Sequence, residues 1–121
     1  MKTILVVDDD RNLRRLYQSE LEAEGYRVVL AENGTQAIDL VTDESPDLVV
    51  MDIRMPETDG LEAMARILRE RRWTPVILNS AYSCYKDNFL TWAADGYIIK
   101  SADLVPLKDK IREVLCSRTA A

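Results

Sequence analysis

The sequence predicts an α/β protein: a doubly wound, five-stranded parallel sheet built from five βα units, with helices on both faces. Short continuous apolar runs alternate with stretches whose apolar residues recur at helical spacing. The runs are apolar throughout and rich in β-branched residues, the pattern of strands buried on both faces. Parallel strands need right-handed helical crossovers, and the helical stretches stand where those crossovers belong.

Residues 3–7 (TILVV) form the first strand. Leu13, Leu16, Tyr17 and Leu21 mark the first helix, which Gly25 stops and Asp10 or Asn12 caps. Residues 27–31 (RVVLA) are the second strand. Ala37, Ile38 and Val41 give a short helix after Asn33-Gly34, broken by Pro46. Residues 48–51 (LVVM) are the third strand, ending at Asp52. A loop with Pro56 and Asp59-Gly60 leads to a third helix on Leu61, Met64, Ala65 and Leu68. Its basic end, Arg69 to Arg72, suits the helix dipole. Residues 75–78 (PVIL) open the fourth strand, Phe89, Trp92 and Ala93 suggest a fourth helix, and residues 97–99 (YII) are the fifth strand. Leu107, Ile111, Val114 and Leu115 form the last helix, with Asp103 as its N-cap, and 117–121 read as a frayed tail.

At 121 residues the chain is one domain, 1–121, with a core over about 2–116, long enough to bury a core without metal or disulfide staples. Sixteen basic against 21 acidic residues give a net charge of −5, which disfavours direct nucleic-acid binding. The absence of histidine excludes Ser-His-Asp triads and His-ligated zinc within the chain. Cys84 and Cys116 have no CxxC spacing and read as reduced thiols of a cytoplasmic protein. No apolar stretch is long enough to span a membrane, and the N-terminus lacks a secretory signal.

In an open parallel sheet, ligands bind beyond the carboxyl ends of the strands. Those ends carry Asp8-Asp9-Asp10, Asp52, Asn79-Ser80 and Lys100. Clustered carboxylates raise each other's pKa unless a cation neutralises them, and oxygen ligands with room for water suit Mg²⁺. A carboxylate beside the metal can attack a phosphoryl group, and an ammonium and a hydroxyl can then hold its oxygens.

With these residues the chain resembles a response-regulator receiver domain of two-component signalling. The resemblance rests on Asp8-Asp9 after strand one, Asp52 within MDIRMPETDG, Ser80-Ala81 after strand four, and Lys100 after strand five. It implies strand order 2-1-3-4-5, Asp52 as phosphoacceptor, and a histidine kinase or phosphotransfer protein as donor. It implies Mg²⁺ held by Asp9, Asp52 and the backbone carbonyl of Arg54, with Asp8 close by or acting through water. Ser80, the Ala81 backbone and Lys100 would bind the phosphoryl group. Ser80 and Tyr97 would switch the face made by the fourth helix, fifth strand and last helix, which meets an output domain or downstream protein. The chain is then a monomer or a phosphorylation-dependent dimer, and it promotes only its own phosphoryl transfer and dephosphorylation. Arg54 and Tyr82, both bulky, sit where the family tunes phosphate lifetime, and are expected to limit attacking water.

Each residue also has a plainer reading. Asp52, Asp8 and Asp9 could cap helices or loops, Lys100 could be solvated, Ser80 could satisfy a backbone group, and Tyr97 could be packing. Convergence of the carboxylates, Ser80 and Lys100 at strand ends favours the site; Tyr97 opens its strand and rests on the resemblance alone. Trp73 and Trp92 read as partly buried packing residues. Arg11, Arg14, Arg15 and the Arg69 to Arg72 group read as solvated helix faces, with Arg14 and Arg15 also candidate kinase contacts. One departure from the family is Ser101 where proline usually follows the lysine, which leaves that peptide either trans or strained.

Three other functions compete with this one. A phosphohydrolase of the haloacid-dehalogenase type needs an aspartate two residues after the nucleophile, where Arg54 stands. A flavin-binding protein of the same fold needs a hydroxyl-rich loop where Asp8-Asp9-Asp10 stands. A pseudo-receiver that binds partners without phosphorylation would not need the full acidic set. No effector domain is read in the sequence, so the chain is expected to be either a stand-alone receiver acting through protein contacts or one domain of a longer protein, whose remainder, given the start at Met1, would be expected after Ala121.

Overall fold

The computed structural model describes residues 1–55, 59–81 and 93–120, the last three as backbone only. The elements are β1 (Thr3–Val7), α1 (Arg11–Ala23), β2 (Arg27–Ala31), α2 (Gly34–Glu44), β3 (Leu48–Met51), α3 (Gly60–Glu70), β4 (Val76–Ser80), β5 (Gly96–Ile99) and α4 (Val105–Ala120). The strands form one parallel sheet in the order β2-β1-β3-β4-β5. The fourth helix expected from Phe89 and Trp92 lies outside the described residues, so α4 is the predicted last helix.

The apolar runs explain the sheet. β3 and β4 are buried along their whole length and β1 in all but its first residue, because helices cover both faces. The marginal strands β2 and β5 are only half-buried. Alternation divides the core. Leu5, Val49, Met51 and Leu78 pack towards α2 and α3, with Val41, Met64 and Ile67. Ile4, Val6, Val50 and Ile77 pack towards α1 and α4, with Tyr17, Leu21 and Ile111.

Short polar side chains set the helix starts. Asp10 accepts from the amides of Asn12 and Leu13, Asn33 from Gln36, and Asp59 from Leu61. Asp103 accepts from the Val105 amide at the start of α4. Gly25 ends α1 with φ of 96°, a left-handed conformation that suits glycine. At the opposite end of the sheet, Asp47 accepts from the Thr3 amide (2.7 Å) and Asp95 from the Val76 amide (3.1 Å). These carboxylates satisfy strand-start donors that the ladder leaves open.

β4 ends at Asn79 and Ser80 as expected, and these pair with Ile98 and Ile99 despite their polarity. Three expectations need correction. α4 continues to Ala120: its last residues tolerate helix and propagate from a turn anchored by Val114 and Leu115. Trp73 is 75% exposed: it sits in the turn before β4, outside both layers, with the Arg72 guanidinium over its ring (5.2 Å). Arg14 is not a solvated helix residue; its side chain is 14% exposed because it turns back onto the β1 end.

Candidate functional site

β1 and β3 are neighbours at the middle of the sheet, so their carboxyl ends deliver Asp8 and Asp52 side by side. Backbone bonds continue the sheet into these residues: the Asp8 amide donates to Ala31 (3.1 Å) and the Asp52 amide to Val7 (2.9 Å). β5, two strands away from β3, delivers Lys100, whose amide donates to the Ser80 carbonyl (2.7 Å). The Lys100–Ser101 peptide is trans.

The Lys100 ammonium bridges two carboxylates. Its Nζ lies 2.7 Å from Asp8 Oδ2 and 3.3 Å from Asp52 Oδ2. Asp8 is 1% and Asp52 6% exposed, so water screens these charges little. The other oxygen of Asp8 accepts from the Asp10 amide (2.9 Å). Arg14 Nη1 donates to the Asp8 carbonyl (2.7 Å), and its Nη2 lies 3.9 Å from Glu32. Asp9 is exposed at the mouth. Asp8, Asp9 and Asp52 each offer an oxygen, and these oxygens lie within 4.8 Å of one another.

The electrostatics follow from that crowding. Burial, opposed by Lys100 and aided by the charge of Asp8, pushes Asp52 up from 3.8 to about 6. Burial alone would lower Lys100, but its hydrogen bond to Asp8 and the charges of Asp52 and Asp8 raise it overall. Two carboxylates share one ammonium and a third, Asp9, stands beside them, which leaves an excess of negative charge in a pocket of oxygen donors. That donor set fits a hard divalent cation such as Mg²⁺.

The structure brings together Asp8, Asp9, Asp52 and Lys100, with Ser80 fully buried at the adjoining strand end and Ala81 exposed beyond it. Arg54 leaves the β3 end exposed and forms an isolated bridge with Asp59 across the loop. Tyr97 is half-buried against the α2–α3 side of the core. Tyr82 lies outside the described residues. Gly60 starts α3 directly against the segment that follows β3: its amide donates to the Ile53 carbonyl (2.6 Å), and a Cβ there would collide with the Asp52 carbonyl.

Two features were missed. Arg14 braces Asp8 through its backbone carbonyl, a contact with no local signal in the sequence. Asn79 donates to the hydroxyl of Tyr17 (3.0 Å), inside the layer beneath α1. A polar residue within an apolar strand run was the clue, and the pairing itself spans too much sequence to be read locally.

A 2-1-3-4-5 parallel sheet with a lysine-bridged acidic pocket at its central strand ends defines the receiver class of flavodoxin-like domains. The chain belongs to the response regulator receiver domain family, whose pattern it matches over residues 4–112. It is 39% identical over 117 residues to transcriptional regulatory protein CpxR of Escherichia coli, covering 95% of this chain and 50% of that protein. The chain spans between a quarter and about half the length of the curated relatives it matches. The response regulator TrrA from Thermotoga maritima, solved in complex with Mg²⁺-BeF, superposes with a TM-score of 0.91 at 42% identity over 94% of this chain and 99% of TrrA. A crystal structure of histidine kinase ThkA in complex with TrrA contains a chain matching with a TM-score of 0.89 at 43% identity, over 95% and 99% of the two chains. Among the described residues, no helix is long and apolar enough to cross a membrane.

Proposed function

We propose that the chain accepts a phosphoryl group on Asp52 from a histidine kinase or phosphotransfer protein, and that the modified state changes the surface offered to a partner. The buried contact of Lys100 with both Asp8 and Asp52 carries this reading. It gives a carboxylate nucleophile and the cation for the charge that arrives. One Asp52 oxygen forms the new O–P bond as the donor's P–N bond breaks, and that bond's electron pair leaves with the donor nitrogen. Asp52, pushed only to about 6, is ionised and nucleophilic at neutral pH. Lys100, the Ser80 hydroxyl and the Ala81 amide then hold the phosphoryl oxygens.

Asp9, Asp52 and the backbone carbonyl of Arg54 would hold Mg²⁺, with Asp8 beside them or acting through water. When bound, Mg²⁺ supplies positive charge that offsets both the carboxylate crowding and the incoming oxygens. The solved Mg²⁺-BeF complex of TrrA supports this cofactor, and the ThkA–TrrA complex supports a kinase as partner.

Ser80 and Tyr97 form the switch, drawn towards the phosphoryl group and inward respectively. The responding face comprises β5, α4 and the segment before β5, and it meets an output domain or downstream protein. Arg54 and Tyr82 restrain hydrolysis. The chain turns over no separate substrate and promotes only its own phosphoryl transfer and dephosphorylation. It acts in the cytoplasm without direct nucleic-acid or membrane contact, as a monomer or a dimer formed on phosphorylation.

The test is intact mass after incubation with Mg²⁺ and a small-molecule phosphodonor. A phosphoryl adduct on the wild type and none on Asp52→Asn supports the reading. No adduct under any Mg²⁺ condition sinks it in favour of a phosphorylation-independent binding module.

A further inference from the structure

Tyr17 and Asn79 form a buried polar pair for which the acceptor chemistry has no evident use. Tyr17 is 2% and Asn79 3% exposed, and they stand 62 residues apart in sequence. Asn79 Nδ2 donates to the Tyr17 hydroxyl at 3.0 Å. Tyr17 belongs to the apolar layer of Ile4, Val6, Ile77 and Ile111, where an aliphatic side chain would pack without the cost of desolvating a hydroxyl. Both ends of the bond adjoin the site. Tyr17 lies on α1, whose preceding loop carries Asp8 and Asp9, and Asn79 immediately precedes Ser80 on β4. The phenol also feels the charges of Lys100, Asp8 and Asp52, while burial, the leading influence, keeps it protonated.

We propose that the Tyr17–Asn79 hydrogen bond is a positioning contact that fixes the β4 end, and with it Ser80, relative to the Asp8–Asp9–Asp52 pocket. The reason is geometric. Asp8 and Asp52 each directly follow the last β1–β3 pair, Val7–Met51, and need no further tie to hold a cation. Ser80 lies two residues beyond the last β3–β4 pair, Met51–Leu78, and pairs with Ile99 of β5 rather than with β3, yet a phosphoryl group must be reached from both places at once. A directional bond from α1 to the residue beside Ser80 sets that relative position from the β1 side of the site. The inference rests on the phosphoacceptor reading.

The test separates cation binding from phosphoryl-mimic binding. Mg²⁺ affinity, and beryllofluoride affinity at saturating Mg²⁺, are measured by calorimetry for the wild type, Tyr17→Phe and the double variant Tyr17→Phe/Asn79→Val. The double variant removes both polar partners, so it leaves no orphaned amide and keeps its fold. Expected is a roughly five- to tenfold loss of beryllofluoride affinity in both variants, with Mg²⁺ affinity within about twofold of wild type. A purely structural role predicts that the double variant recovers wild-type beryllofluoride affinity, and that result overturns the inference. So does a parallel loss of Mg²⁺ affinity, which assigns the bond to the pocket as a whole. A wild type that binds Mg²⁺ but no beryllofluoride refutes the phosphoacceptor reading itself, and the inference with it.

Discussion

Asp52→Asn should make the metal-free protein more stable at pH 8. The Asp52 carboxyl moves from 3.8 to about 6 on folding. At pH 8 that corresponds to a penalty of roughly 3 kcal/mol on the ionised form, at about 1.4 kcal/mol per pKa unit. The residue is 6% exposed, so solvent screening removes little of it. Asparagine keeps the shape and carries no charge. Because the folded carboxyl holds its proton more tightly than the unfolded one, the wild type loses stability as pH rises from 3.8 to about 6, and the loss is complete only above that window. The variant has no such dependence. Urea unfolding without divalent ions should therefore give nearly equal stabilities near pH 4. At pH 8 the variant midpoint should be higher by roughly 1.5 M, taking an m-value of about 2 kcal/mol/M. Groups common to both proteins cancel in the difference. Saturating Mg²⁺ should raise the wild type and narrow the gap. A variant less stable than wild type at pH 8, or a gap that does not change with pH, refutes the account of a crowded, desolvated acceptor.

Other substitutions probe the same pocket. Lys100→Met leaves Asp8 and Asp52 facing each other without their cation, and should destabilise by about 3 kcal/mol at pH 8. The loss should shrink at pH 5, where Asp52 regains its proton; equal losses at both pH values in urea unfolding would exclude a charge effect. Gly60→Ala drives a methyl group into the Asp52 carbonyl, so it should cost about 2 kcal/mol and weaken Mg²⁺ binding in calorimetry. An unaltered Mg²⁺ titration would mean that α3 yields without moving the acceptor. Arg54→Asn opens the mouth of the pocket and should shorten the phosphoprotein lifetime several-fold, followed by decay of the adduct mass. A lifetime equal to or longer than wild type removes Arg54 from that role.

The limits of the sequence reading have physical causes. β1, β2 and β3 were legible to the residue, because buried parallel strands are continuous apolar runs bounded by polar ones. The end of β4 was legible too, since Asn79 and Ser80 are the polar residues that close an apolar run, and the sheet pairs both with β5. Asp8, Asp9, Asp52 and Lys100 could be gathered because the topology alone sends strand ends to one edge. Arg14 was misjudged because an arginine on a helix face gives no sign of which neighbour it folds onto. Here it is the Asp8 carbonyl rather than water. Trp73 was misjudged for the opposite reason: apolar character argues for burial, but a turn outside both layers offers nothing to bury it. The Tyr17–Asn79 pair needs three dimensions, since each partner has an ordinary local explanation.

The bond from Lys100 to Asp8 joins residues 92 apart, and the strands that hold them meet only through β3 and β4. During synthesis the acids emerge early, while the ammonium emerges only after most of the sheet is available. A chain ending before residue 100 carries Asp8 and Asp52 but neither their counter-charge nor α4, whose Leu107, Ile111, Val114 and Leu115 complete one core layer. The balance of charge in the pocket and the cover of that face of the sheet are thus supplied together, by the last stretch of the polypeptide.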